Sequence, residues 1–172
     1  MKVLIIYSSR TGVSKRCVDM LVEKLDSDAI NIDIFSANQE LPSPDGYDVA
    51  VIGGSVRMGA INKRIRKYLK AHADALNSIN TAIFLCCGLS ESVSDYVTMQ
   101  IPKYIIPSLD INYFGGEVKP ENAKGFDKLV LRAMRSKIKE VDFEAPDLDA
   151  SPLPEIIPEN IWRLADRIRG LL

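Results

Sequence analysis

The run Val3-Leu4-Ile5-Ile6-Tyr7 passes without interruption into the loop Ser8-Ser9-Arg10-Thr11-Gly12-Val13-Ser14 and from there into a helical pattern. A short, continuous apolar run suits a strand buried on both faces, as found in parallel sheets covered by helices. From Val13 onward, Val13, Cys17, Leu21 and Leu25 share one helical face, and Lys15, Arg16, Asp19 and Glu23 lie largely on the other. Strand, polar loop and helix therefore follow one another directly, and the rest of the chain must build on that unit.

The remaining pattern repeats it. Ala29 to Phe35 alternates Ile30, Ile32 and Ile34 with Asn31 and Asp33, as a half-buried strand does, and Leu41 to Gly46 is a Pro/Gly-punctuated loop. Tyr47 to Ile52 reads as a strand closed by Gly53-Gly54. Ile61, Ile65, Leu69, His72 and Leu76 then keep one helical stripe, surrounded by Lys63, Arg64, Arg66, Lys67 and Lys70. Thr81 to Cys87 is another buried strand, followed by the polar stretch Gly88 to Asp95 and a helical segment from Tyr96 to Ile106 that contains Pro102. Ile111 to Val118 reads as the last strand, with Gly115 and Gly116 marking a bend or a close backbone approach. Phe126 to Ile138 is helical, Val141 to Pro154 is irregular, and Pro158 opens a closing helix carrying Ile161, Leu164, Ala165, Ile168 and Leu172. Strands alternating with helices predict an α/β fold with a doubly wound parallel sheet, five strands in the order 2-1-3-4-5. At 172 residues the chain suits one domain over 1–172.

Composition narrows the function. With 22 Lys+Arg against 23 Asp+Glu the formal charge is -1, which predicts neither a nucleic-acid binder nor a strongly acidic shuttle protein. Cys17, Cys86 and Cys87 lack metal-ligand spacing, and adjacent cysteines rarely bridge each other, so a reduced, cytoplasmic chain without a metal site is expected. Cys86 and Cys87 read as buried strand-end residues without redox work, and His72 as structural. No apolar stretch approaches the roughly 20 residues needed to span a bilayer, and Met1 to Tyr7 pass into an apolar run with no positively charged n-region or cleavage site, so a secretory signal is not expected.

In an open parallel sheet, ligands bind outside the carboxyl ends of the strands where strand order reverses. That rule selects the loops Ser8 to Ser14, Gly53 to Ala60 and Gly88 to Asp95. The first holds four hydroxyls and one glycine directly before a helix, where unpaired backbone N–H groups and the helix dipole favour an anion. A single N-cap needs one hydroxyl; this density points to a phosphate. The loop has neither the Gly-Lys-Ser/Thr ending of a nucleoside triphosphate loop nor a three-glycine dinucleotide fingerprint. Nothing in the chain suggests hydrolysis: there is no Ser/His/Asp ordering, paired acid loop or metal motif.

With hydroxyl residues on either side of Thr11-Gly12, this loop resembles the phosphate loop of the flavodoxin superfamily. The resemblance implies a flavodoxin-like fold and FMN as cofactor. It places the 5′-phosphate against Ser9, Thr11, Gly12 and Ser14, with backbone donors from Arg10 and Val13. Within the superfamily the chain is most similar to the menaquinone-dependent protoporphyrinogen IX dehydrogenases. Their first loop carries Arg where Arg10 stands, and their second resembles Gly53-Gly54-Ser55-Val56-Arg57-Met58-Gly59, followed by a basic amphipathic helix. Met58 replaces their usual aromatic residue, and Ala60 stands where they often have His. A helical insertion after the last strand, about 120–156 here, corresponds to theirs through Phe126 to Lys139.

That resemblance implies roles. Gly54, Ser55, Val56, Arg57, Met58 and Gly59 would border the isoalloxazine ring, and Gly88, Leu89 and Ser90 would form its other wall. Tyr96 would either stack there or begin the core of its helix. Arg57 is the candidate for contacting an anionic substrate such as a porphyrin propionate, because guanidinium and carboxylate pair as a fork. The implied activity is FMN-dependent oxidation of a porphyrinogen with a quinone as acceptor. The rival expectation is a flavodoxin-type carrier passing single electrons between redox protein partners. The basic, apolar-striped segment Phe126 to Lys139 suits a packing helix or a peripheral contact with the inner face of an anionic membrane.

Overall fold

The computed structural model describes residues 1–57, 59–87, 97, 99–117 and 155–172. In chain order the elements are β1 (Lys2–Ser8), α1 (Val13–Leu25), β2 (Asn31–Ser36), β3 (Val49–Arg57), β4 (Ala60–Ile61), α2 (Lys63–Ala71), α3 (Ala73–Ser78), β5 (Asn80–Cys86), β6 (Ile111–Tyr113) and α4 (Pro158–Arg169). Five strands pair in parallel in the order β2-β1-β3-β5-β6, which is the expected 2-1-3-4-5 arrangement. The sixth, β4, folds back antiparallel onto the end of β3, pairing Val56 with Ile61 and Arg57 with Ala60.

Alternation along the central strands divides the interior into two layers. Val3 and Ile5 of β1, Val49 and Val51 of β3, and Ala82 and Phe84 of β5 face α1 and α4. Leu4, Ile6, Ala50, Ile52, Ile83 and Leu85 face the α2 and α3 side, with Ile65, Leu69 and Leu76. Both faces of β1 are therefore covered, which is why its sequence shows no polar alternation. On the α1 side the Phe84 and Phe114 rings stack at 5.0 Å.

Several boundaries differ from the sequence expectation, among them the segment read as helical to Ile106, which is not helical from Ile101 onward. β3 does not close at Gly53-Gly54 but continues to Arg57, because its pairing with β5 runs to Ser55 and its last two residues pair with β4. The helix read through Leu76 breaks at His72, whose backbone leaves helical dihedrals (φ -118°, ψ 24°) as its ring packs on Tyr68 at 4.4 Å. The last strand ends at Tyr113 rather than Val118. There the chain is met by 155–157, with Gly115 bridged to Ile156 and the Ile157 N–H donating to Phe114 O at 3.0 Å. Gly115 is thus a close approach: a Cβ on it would sit 2.2 Å from the Glu155 carbonyl oxygen. Leu172, placed on the buried stripe of the closing helix, lies beyond its end and is exposed. The insertion helix Phe126 to Lys139, the irregular stretch Val141 to Pro154, and Met58, Gly88, Leu89, Ser90 and Tyr96 lie outside the described residues. Among the described residues, no helix is long and apolar enough to cross a membrane.

α2 starts at a built cap. The Asn62 side chain accepts from the Arg64 N–H at 2.8 Å, satisfying one of the donors that a helix start leaves unpaired. Asn62→Ala is expected to cost about 1 kcal/mol of stability, measured by urea denaturation, with Asn62→Ser recovering most of it.

Candidate functional site

The carboxyl ends of β1, β2 and β3 meet at a cleft of about 160 Å³ lined by Ser8, Ser9, Arg10, Ser36, Ala37, Asn38, Ser55, Arg57, Ala60 and Asn62. It lies where strand order reverses, β2 on one side of β1 and β3 on the other. The lining contains two guanidinium groups and no carboxylate, so the cleft favours an anion.

Between β1 and α1 the chain turns at Gly12, whose φ of +90° is the left-handed region that side-chain-bearing residues rarely adopt. Gly12 is the N-cap of α1, and no side chain caps from that position. The loop hydroxyls are therefore not the ordinary cap. Ser9 Oγ accepts from the Lys15 N–H at 3.3 Å, which leaves its own O–H to donate elsewhere. Thr11 is exposed, and the N–H groups of Val13 and Ser14 have no acceptor within the helix. Ser8 lines the cleft, and its buried hydroxyl has no hydrogen-bond partner. This donor set fits a phosphate monoester, which offers several charged acceptor oxygens to hydroxyl and backbone N–H donors.

Ser14 is placed differently from the sequence expectation. Its side chain is buried with no hydrogen-bond partner in reach, and it lies beside the interior Cys86 thiol, so it faces the core rather than the cleft. Beneath it the Cys86 thiol donates to Cys17 Sγ at 3.8 Å. That hydrogen bond draws the Cys17 thiol below its usual range and, together with burial, pushes Cys86 well above it.

The second loop is a strand and hairpin. Ser55 and Arg57 line the cleft, Val56 is half-buried in the hairpin, and Gly59 forms the turn. The glycines before them answer to neighbouring strands: a Cβ on Gly54 would lie 2.3 Å from Ser8 Oγ, and one on Gly53 would lie 1.9 Å from the Phe84 carbonyl oxygen. Four cleft residues escaped the sequence reading, Ser36 at the end of β2, Ala37 and Asn38 just after it, and Asn62 before α2. The strand order itself carried the signal for the first three, since β2 borders β1 and its end must open onto the same edge. Arg64 Nη1 fixes this segment by donating to the Ala37 carbonyl at 3.0 Å. Among the described residues, no cluster of His, Cys, Asp and Glu is arranged to hold a metal ion.

Residues 4–144 match the model of the Flavodoxin domain family. The chain is similar to the protoporphyrinogen IX dehydrogenase [quinone] of Escherichia coli strain K12, 33% identical over 85 residues, which cover 49% of this chain and 47% of that protein. The match thus spans about half the length of the curated relatives. Among solved structures, the Streptococcus pneumonia TIGR4 flavodoxin superposes with a TM-score of 0.52 at 11% identity, covering 100% of both chains. Two-electron reduced Megasphaera elsdenii flavodoxin superposes with a TM-score of 0.51 at 13% identity, covering 74% of this chain and 94% of its own. At these identities the structural likeness speaks for the fold.

Proposed function

We propose, on the premise that the chain belongs to the Flavodoxin domain family and carries that family's cofactor, FMN, that it is an oxidoreductase of the protoporphyrinogen dehydrogenase type passing electrons to a quinone. The observation that supports this reading best is the meeting in one cleft of Ser8, Ser9 and Arg10 from the first loop with Arg57 from the end of β3. One end suits a phosphate, and the other a carboxylate-bearing substrate.

In this reading Ser9 and Thr11 donate hydroxyls to the FMN phosphate, and the N–H groups of Arg10, Gly12, Val13 and Ser14 complete its cradle. Gly54, Ser55, Val56, Met58 and Gly59 border the ring system, with Gly88, Leu89, Ser90 and Tyr96 on its other side. Bound FMN supplies the redox chemistry. Arg57 orients the substrate by its carboxylate. Residues 1–172 act as one cytoplasmic domain, with the segment 120–156 inserted in it. The balanced charge of the chain speaks against a carrier guided by a strongly acidic surface.

The test is anaerobic mixing of the FMN-loaded protein with protoporphyrinogen IX and a menaquinone analogue, followed by fluorescence of the product porphyrin. Turnover should require both FMN and quinone. Absence of turnover together with rapid electron exchange with a ferredoxin or reductase would replace the enzyme by a carrier.

A further inference from the structure

Away from the cleft, the outer face of α2 forms one wall of a second and larger cavity, of about 500 Å³. Lys63, Arg66, Lys67 and Lys70 line it from α2, and Met99, Gln100, Ile101, Pro102 and Tyr104 line it from the segment before β6. The spacing i, i+3, i+4, i+7 brings all four cations to one side of the helix, while Ile65, Tyr68 and Leu69 face the core. Four like charges on two helical turns repel one another, which makes this arrangement costly without a counter-charge. Among the described residues, the ion pairs go to Lys2, Lys15, Arg16 and Arg167, and none reaches these four cations.

Two further details point to a ligand. Arg66 Nε and Gln100 Oε1 are buried on this wall without hydrogen-bond partners, one a donor and the other an acceptor. Facing the cations, Met99 and Tyr104 are 75% and 56% exposed, an apolar surface that water covers poorly. The groove is open to solvent along one side and has room for a small molecule.

We propose that this cavity binds a small amphipathic polyanion, an apolar body carrying two or more carboxylates about 5–10 Å apart, the span of one to two helical turns. One carboxylate pairs with Arg66, satisfying Nε; another is held between the lysines, and the apolar body lies on Met99, Ile101, Pro102 and Tyr104. The inference stands apart from the FMN cleft and from any turnover there.

The test uses mesoporphyrin IX, a flat apolar dicarboxylate, titrated with the FMN-loaded full chain and followed by fluorescence polarisation. Saturable binding is expected, at least tenfold weaker for the triple variant Lys63→Gln/Lys67→Gln/Lys70→Gln and for Arg66→Lys, with FMN retained in both as a check on folding. The dimethyl ester of the probe should bind at least tenfold more weakly than the diacid, and Arg163→Gln, which removes an exposed cation on α4, should leave the affinity unchanged. Equal binding by the triple variant, or loss caused by Arg163→Gln alone, overturns the assignment. Displacement of the probe by an equal concentration of inorganic phosphate overturns it as well, since a bare anion patch would then account for everything observed. None of these readings requires turnover, so failure of the dehydrogenase assay leaves them intact.

Discussion

Gly53→Ala is expected to destabilise the protein by about 3 kcal/mol or more, enough to leave a large unfolded fraction in a marginally stable domain. Gly53 lies in β3 with β1 on one side and β5 on the other. A Cβ there would stand 1.9 Å from the carbonyl oxygen of Phe84 and 2.7 Å from its ring carbon Cδ1. A flexible side chain can turn away, but a carbonyl in a paired strand cannot move without breaking ladder hydrogen bonds. Ordinary overpacking costs about 1–3 kcal/mol, and a clash with backbone belongs at or above the top of that range. Urea denaturation measures the loss, with Gly170→Ala as the comparison. At Gly170 the added Cβ meets nothing closer than 3.4 Å, and the change should stay within about 1 kcal/mol. Similar small losses at both positions would show that β3 and β5 separate freely, and that the close approach does not constrain this position.

The second large effect concerns the cofactor. Replacing Ser9 and Thr11 together by Ala is expected to weaken FMN by about 3 kcal/mol or more, roughly a hundredfold, from two charge-assisted contacts of about 1.5–3 kcal/mol each. Ser9 Oγ already accepts from the Lys15 N–H, so its one hydrogen is free to donate to the ligand and its removal affects both ligand and helix start. Riboflavin, lacking the phosphate, should lose little. Ser14→Ala supplies a contrast, because its hydroxyl faces the core and only its backbone N–H serves the loop. Titration of the apoprotein by flavin fluorescence quenching separates the cases. If FMN and riboflavin weaken equally, the loop does not hold the phosphate.

The parts of this molecule that were legible in its sequence are those fixed by local pattern. Val3 to Tyr7 had to be a doubly covered strand, and the stripe Val13, Cys17, Leu21, Leu25 had to be a helix packed on it, because each run admits one periodicity. Gly53-Gly54 misled the reading since the same dipeptide serves a turn or a tight strand crossing, and only the presence of Ser8 and Phe84 on either side decides which. The hairpin to Ala60–Ile61 and the exposure of Leu172 likewise depend on neighbours distant in sequence. The inward turn of Ser14 and its relation to the Cys17–Cys86 pair arise from residues on α1 and β5 that no local window connects. Asn38 and Asn62 reached the cleft through strand order rather than through any motif of their own.

The packing of α4 against α1 has a consequence for biosynthesis. Val13, Cys17, Val18, Leu21 and Leu25 are buried in one cluster with Ile161, Leu164, Ala165 and Ile168. A ribosome therefore makes the phosphate loop and its helix well before α4, and that helix cannot bury its outer flank until residue 168 has left the exit tunnel. At ordinary elongation rates of about 5–20 residues per second, the delay is roughly 8–30 s. During that interval the nascent chain carries an uncovered apolar surface on α1, a natural client for chaperones that bind such surfaces. Translation speed across the long stretch between β6 and α4 thereby sets how long the unfinished chain is exposed to aggregation.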